Sequence, residues 1–143
     1  MASLVRAACL TNYAEVATAS GLNPARMLFD VGLSPGVLDD PDLMIPVDKV
    51  GRLLQNSALV SGSESFGLRM ARTRLLSNMG PVGLLMRDQE TLRDSLQLLV
   101  RYLAMLNGAM TLAVEEQRDT VLIRELLLAG SAHEPTRQRV ELA

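Results

Sequence analysis

Ser65–Asn107, SFGLRMARTRLLSNMGPVGLLMRDQETLRDSLQLLVRYLAMLN, decides the fold. It reads as a short helix ending in Arg69, Arg72 and Arg74, then a Met-Gly-Pro-Val-Gly turn, a second helix and a long amphipathic third one. Pro81 can open the second helix because the first helical residue needs no amide hydrogen, and that helix should close near Asp88. Thr91, with Asp94 three residues on, has a capping-box form. After it Leu92, Leu96, Leu99, Leu103 and Leu106 follow one helical face, and Leu98, Tyr102 and Met105 widen it. A helix apolar on two adjacent sides is expected at the centre of the core. Asn107-Gly108 should end it.

Beyond that point the period changes to two. Met110, Leu112 and Val114 alternate with Thr111, Ala113 and Glu115, as in a half-buried strand. Glu116 to Asp119 reads as a polar turn and Thr120 to Glu125 as a second strand, whereas Leu126-Leu127-Leu128 breaks the alternation. Gly130 to Pro135 reads as a loop and Thr136 to Leu142 as a helix. Two strands need cover to stay folded, and the Leu92–Leu106 helix can supply it. The free hairpin edge would offer a partner chain a place to add strands.

Upstream, two phrases echo each other: Gly21-Leu22-Asn23-Pro24 and Gly32-Leu33-Ser34-Pro35. In each, Gly closes one helix in the left-handed conformation, Asn or Ser caps the next, and Pro begins it. One helix should therefore end near Ser20, another run from Pro24 to Val31, and a short one start at Pro35. Asp39-Asp40-Pro41-Asp42 reads as a solvated acidic turn, since a calcium loop needs more oxygen ligands in a set order. From Pro46 a helix should run to Val60, with Val47, Val50, Leu54 and Ala58 on one stripe, and Gly62 should stop it. The whole predicts an α+β fold: a predominantly helical single domain, 1–143, with a small antiparallel hairpin near its C-terminal end.

The totals agree with one domain of 143 residues, large enough for a sizeable core. Apolar residues are 48% of the chain but only 3% are aromatic, so Leu, Val, Ala and eight Met must fill that core. Met is flexible enough to do so and to reshape around a ligand. A net charge of −2 gives nucleic-acid binding no support. The single Cys, Cys9, rules out an internal disulfide and suits a reducing compartment. No signal peptide and no apolar run of about 18 residues is legible, which points to a soluble, cytoplasmic protein without membrane contact.

The chemistry of catalysis is missing. One histidine, His133, stands in a polar loop far in sequence from Cys9, no nucleophile elbow exists, and one His and one Cys do not supply the three or four clustered ligands of a zinc site. Gly62–Gly67, GSESFG, lacks the Lys of a phosphate loop. The expectation is a chain that is not an enzyme and takes neither metal nor cofactor. The two helices around Asp88 have helix-turn-helix order, but the second spends its surface on Leu, Met and Tyr rather than on groups that reach base edges.

In order and spacing the chain resembles the N-terminal, arabinose-binding-like effector domain of AraC-type bacterial transcription regulators. The resemblance rests on the two Gly-Leu-x-Pro phrases, Asp40-Pro41 with Ile45-Pro46, and Phe66-Gly67-Leu68-Arg69. It rests further on Gly80-Pro81-Val82-Gly83 and on Thr91-Leu92 with Leu98-Leu99-x-x-Tyr102. It implies a domain that binds a small effector and, commonly as a homodimer, controls a C-terminal DNA-binding module. That module lies beyond Ala143, so DNA contact is expected only through it, and this chain would be a fragment or a protein lacking that half. Arabinose is not implied, since members answer to varied signals, ornithine and arginine among them.

For the effector pocket, polar groups on an otherwise apolar face nominate Tyr102 and Arg101, Asn107 at the helix end, and Met79 and Met105 nearby. Arg101 could pair a carboxylate through its planar guanidinium. Tyr102 equally suits a buried ring, and Arg101 an exposed helix charge. Arg69, Arg72 and Arg74 read as a solvated edge or a contact with the absent module. The competing reading is a dimerisation or interdomain scaffold with a filled core and no ligand.

Overall fold

The computed structural model describes residues 2–127. Its elements run β1 (Leu4–Arg6), α1 (Tyr13–Ala19), α2 (Pro24–Asp30), β2 (Met44–Pro46), α3 (Val47–Ser61), α4 (Phe66–Ala71), α5 (Pro81–Arg87), α6 (Leu92–Leu106), β3 (Met110–Gln117) and β4 (Thr120–Leu127). Short 3₁₀ turns lie at Ala7–Leu10, Pro35–Leu38 and Leu76–Met79. The α+β class is as the sequence reads. The expected loop at Gly130–Pro135, His133 within it, and the expected helix at Thr136–Leu142 lie outside the described residues.

The helix punctuation follows the local chemistry. Gly21 and Gly32 take φ of +77° and +71°, and the amides of Leu22 and Leu33 return to the carbonyls of Ala17 and Leu28. Asn23 and Ser34 then accept from the backbone amides of Arg26 and Gly36 to start the next turns. At the head of α6, Thr91 Oγ1 accepts from the Asp94 amide at 3.1 Å.

The core sits in the first half of the chain. Tyr13, Leu28, Leu53, Leu54, Phe66 and Met70 are fully enclosed where α1, α2, α3 and α4 meet. Tyr13 and Phe66 pack as tilted rings with centroids 6.0 Å apart. The one buried polar side chain among the described residues, Ser57, gives its proton to the Leu53 carbonyl at 2.8 Å. The Tyr13 hydroxyl is therefore the donor in the 2.9 Å Tyr13–Ser57 bond, and both groups are satisfied.

Two antiparallel sheets hold the rest. In the first, Leu4, Val5 and Arg6 of β1 face Pro46, Ile45 and Met44 of β2. These three-residue strands carry no readable period, and neither was anticipated. In the second, β3 and β4 pair from Met110↔Leu127 to Gln117↔Thr120. The hairpin is longer than expected: Glu116 and Gln117 are in the strand, and only Arg118 and Asp119 turn.

The expectation of α6 as the central helix is corrected. Leu103 is its one buried residue, while Leu92 is 75% exposed and Met105 65%. The apolar face is real, but it covers β3 and one wall of a cavity instead of entering the core. Arg93 Nε and Nη2 clamp both carboxylate oxygens of Glu116, at 2.6 and 2.9 Å, and fix the start of α6 over the hairpin.

This location of the core makes a clear contrast in urea unfolding. Phe66→Ala is expected to cost about 3–5 kcal/mol, and Leu92→Ala, on the helix read as central, no more than about 0.5 kcal/mol.

Candidate functional site

A cavity of about 440 Å³ lies between the N-terminal core and the α6–hairpin unit. Sites for small organic molecules commonly occupy roughly 300–1,000 Å³ and combine apolar walls with a few placed polar groups. Both features are present. Val47, Val50 and Leu54 of α3 form one wall, Leu103 and Leu106 of α6 another, and Met110 and Leu127 of the hairpin close one side. The α3 residues are the stripe legible in the sequence, so one helical face serves core and cavity together.

The polar groups come from two short segments. One is β1 and the 3₁₀ turn after it, which contribute Arg6 and Cys9; the other is Arg74–Met79, with Arg74 and Asn78. Asn107, at the end of α6, adds an amide. Arg6 Nη1 donates to the Asn78 carbonyl at 3.2 Å, and Nη2 pairs with Asp42. Arg74 Nη2 donates to the Ala8 carbonyl at 3.2 Å. The Asn78 side chain accepts from the Leu75 amide at 2.7 Å and so holds the loop that carries Arg74. Burial lowers the Arg74 guanidinium from its usual value, with the Cys9 thiol as its next neighbour. A guanidinium stays charged under such a shift.

Two glycines let the loop approach. A Cβ on Gly83 would stand 2.0 Å from the Leu76 carbonyl oxygen, so only glycine lets α5 lie against the 3₁₀ turn at Leu76–Met79. Gly80 has φ +60° and ψ −136°, a backbone state side chains do not tolerate. A Cβ there would meet Arg6 Nη2 at 2.8 Å. The Gly80-Pro81-Val82-Gly83 phrase thus positions the polar end of the cavity.

Of the five residues nominated from the sequence, Met79 and Asn107 line this cavity. Arg101, Tyr102 and Met105 are absent from its wall; Arg101 and Met105 are exposed and Tyr102 is half-buried. Helix geometry explains the split. At about 100° per residue, Arg101 and Met105 each lie about 200° around α6 from Leu103, which does face the cavity. Arg74 is also corrected: it turns inward, while Arg69 bonds Ser20 at 2.8 Å and Arg72 is exposed. Sequence reading missed Arg6, Cys9 and Asn78. Among the described residues no cluster of His, Cys, Asp or Glu could hold a metal, and no helix is long and apolar enough to cross a membrane.

Residues 21–143 match the family model described as the arabinose-binding domain of AraC transcription regulators, N-terminal. The chain belongs to this family. Two relatives, the HTH-type transcriptional regulators VirS of Mycobacterium tuberculosis strains CDC 1551 / Oshkosh and H37Rv, are each 32% identical over 114 residues. That alignment covers 80% of this chain and 34% of the relative, so the chain spans about a third of the length of the regulators it matches. Within this AraC-type domain Arg6 and Cys9 precede the matched segment, whereas Arg74, Asn78 and Asn107 fall inside it. The family is one of transcription regulators.

The cavity wall holds one thiol, Cys9. Burial pushes Cys9 up to about 12, against a smaller opposing influence from Arg74. An unfolded Cys ionises near ~8.5, so the neutral thiol supports the fold below that pH, and the support is lost as pH rises from there toward about 12. Iodoacetamide at pH 8 is expected to leave Cys9 unmodified in the folded protein and to alkylate it in urea. Cys9→Ala should flatten the alkaline fall in stability.

Proposed function

We propose that this chain is the effector-sensing part of an AraC-type regulator, and that the cavity between the N-terminal core and α6 receives the effector. The cavity itself supports this reading most strongly. It is mostly apolar, of small-molecule size, and carries two guanidiniums and two side-chain amides. Among the described residues nothing fills this volume, and apolar walls without a partner forgo dispersion contacts that an effector would supply. Bound effector would join α3 and the first strand to α6 and the hairpin, and so change how the C-terminal part of the domain is held. DNA contact belongs to the helix-turn-helix part named in the relatives.

A second reading, self-association, has its own observation. Among the described residues β4 pairs with β3 alone, and Val121, Leu122, Ile123 and Leu126 along it are exposed. An exposed apolar edge strand is a template for pairing with another chain. The two readings are compatible, as a homodimer through β4 leaves the cavity free.

Thermal unfolding against amino acids, sugars, aromatic acids and fatty acids separates them. A saturable rise in midpoint with one class, by mass action on the folded state, is expected. Leu106→Trp, which fills the cavity, should abolish that rise while the variant still unfolds cooperatively. A response unaffected by Leu106→Trp would remove the cavity from the function. On sizing columns Val121→Lys with Ile123→Lys should convert any dimer to monomer without changing the effector response.

A further inference from the structure

Building on the second reading above, self-association through β4, we infer that two copies of this chain pair antiparallel along that strand about a two-fold axis at Ile123. The hairpin itself is short of cover. A two-stranded hairpin is marginal in water, and α6 packs on β3 rather than on β4. Thr120–Leu126 of β4 are all exposed, Val121, Leu122, Ile123 and Leu126 among them. Among the described residues nothing pairs with the outer edge of β4. Joining two hairpins there makes a sheet of four strands, beyond the size at which a sheet needs further support.

The backbone fixes the phase of the pairing. Gln117 pairs with Thr120 across the two-residue turn Arg118-Asp119. So short a turn makes that closing pair a hydrogen-bonded one, and bonded and non-bonded pairs alternate from there. Thr120, Leu122, Arg124 and Leu126 therefore aim their amides and carbonyls at β3, while Val121, Ile123 and Glu125 aim theirs at the free edge. A two-fold axis normal to the sheet keeps every side chain on its own face. It must then pass beside a residue that meets its own copy.

Length and charge select that residue. Centred on Ile123, the strands pair over Thr120–Leu126; centred on Arg124, over Val121–Leu127; any other centre shortens the ladder. The Arg124 centre sets two guanidiniums face to face in a non-bonded pair, where side chains stand closest, and like charges there destabilise. The Ile123 centre sets Ile123 against Ile123, Val121 against Glu125 and Leu122 against Arg124. No two like charges then face each other directly. Each Arg124 keeps Glu115 of its own hairpin at 3.1 Å, and its aliphatic stem can cover Leu122 of the second copy.

The test uses the whole chain. Sedimentation should show a dimer, and mild oxidation of Ile123→Cys should give covalent dimer as the main product. The facing Cα atoms of a bonded pair stand about 5.5 Å apart, within disulfide reach. Val121→Cys and Glu125→Cys should each stay uncrosslinked alone, because like positions lie four residues out of step, about 14 Å along the strand. Co-expressed, the two should crosslink to each other. The unaltered chain, whose one thiol is Cys9, is the control. Should Ile123→Cys not fold, the co-expressed pair decides, since both of its positions are exposed. A dimer in which Arg124→Cys crosslinks instead overturns the register and spares β4 as the seam. A dimer that none of these cysteines captures overturns β4 self-association altogether. A monomer at every concentration tested does the same, and leaves the edge to residues after Leu127 or to a different partner. None of these results bears on the effector reading, which Leu106→Trp judges separately.

Discussion

Three residues at the start of the chain hold the two parts of this molecule together. On one edge Leu4–Arg6 pairs with Met44–Pro46, which leads directly into α3 and the core. On its other side the Leu4 carbonyl accepts from the Gly108 amide at 2.8 Å, and Val5 bridges to Asn107 where α6 hands over to β3. The side chains continue the bracing, with Val5 buried and Arg6 bonded to the loop before α5. A backbone hydrogen bond contributes only about 0.5–1.5 kcal/mol net. Its leverage lies in position, because β1 is where the core and the α6–hairpin unit share backbone bonds.

That bracing explains an economy in the use of apolar residues. Hydrophobic side chains stabilise by roughly 25 cal/mol per Å² removed from water, and α1 to α4 take most of that gain around Tyr13 and Phe66. The leucines of α6 are spent differently, on covering β3 and on facing Val50 and Leu54 across an open volume. The cavity wall is thus apolar surface held away from its natural partners by β1 and by the Gly80–Gly83 turn. On the proposed reading, an effector of suitable shape would recover burial that the described residues leave unrealised.

What could be read from residues alone divides along the same line. Helix punctuation was legible because Gly-Leu-Asn-Pro and Gly-Leu-Ser-Pro act within a few residues of themselves. The period-two pattern of β3 was legible for the same reason. The position of α6 was not, since an amphipathic face states that something covers it without saying whether that is core, hairpin or cavity. Tyr102 drew attention as an aromatic on that face, while Tyr13, in a stretch without a marked stripe, became the enclosed ring. Arg6 and Arg74 were hidden more deeply. Their partners lie 72 and 66 residues away, and a short strand such as β1 carries no periodicity. Met79 and Asn107, which do line the cavity, were nominated from their place near the apolar face of α6 and at its end.

The same geometry constrains how occupancy could be transmitted. Any molecule filling the cavity touches α3 and β1 on one side and α6, Met110 and Leu127 on the other. Its binding free energy then depends on how those two sides are held, and by linkage the holding depends on the molecule to the same extent. The β1 bond to Gly108 ties the Asn107–Gly108 junction to the first strand, and the Arg93–Glu116 pair ties α6 to the hairpin. On the proposed reading, whatever follows β4 would inherit an adjustment of that unit through the backbone. On that reading, control of a DNA-binding part would need no large rearrangement of the core, only a change in how firmly the α6–hairpin unit is seated.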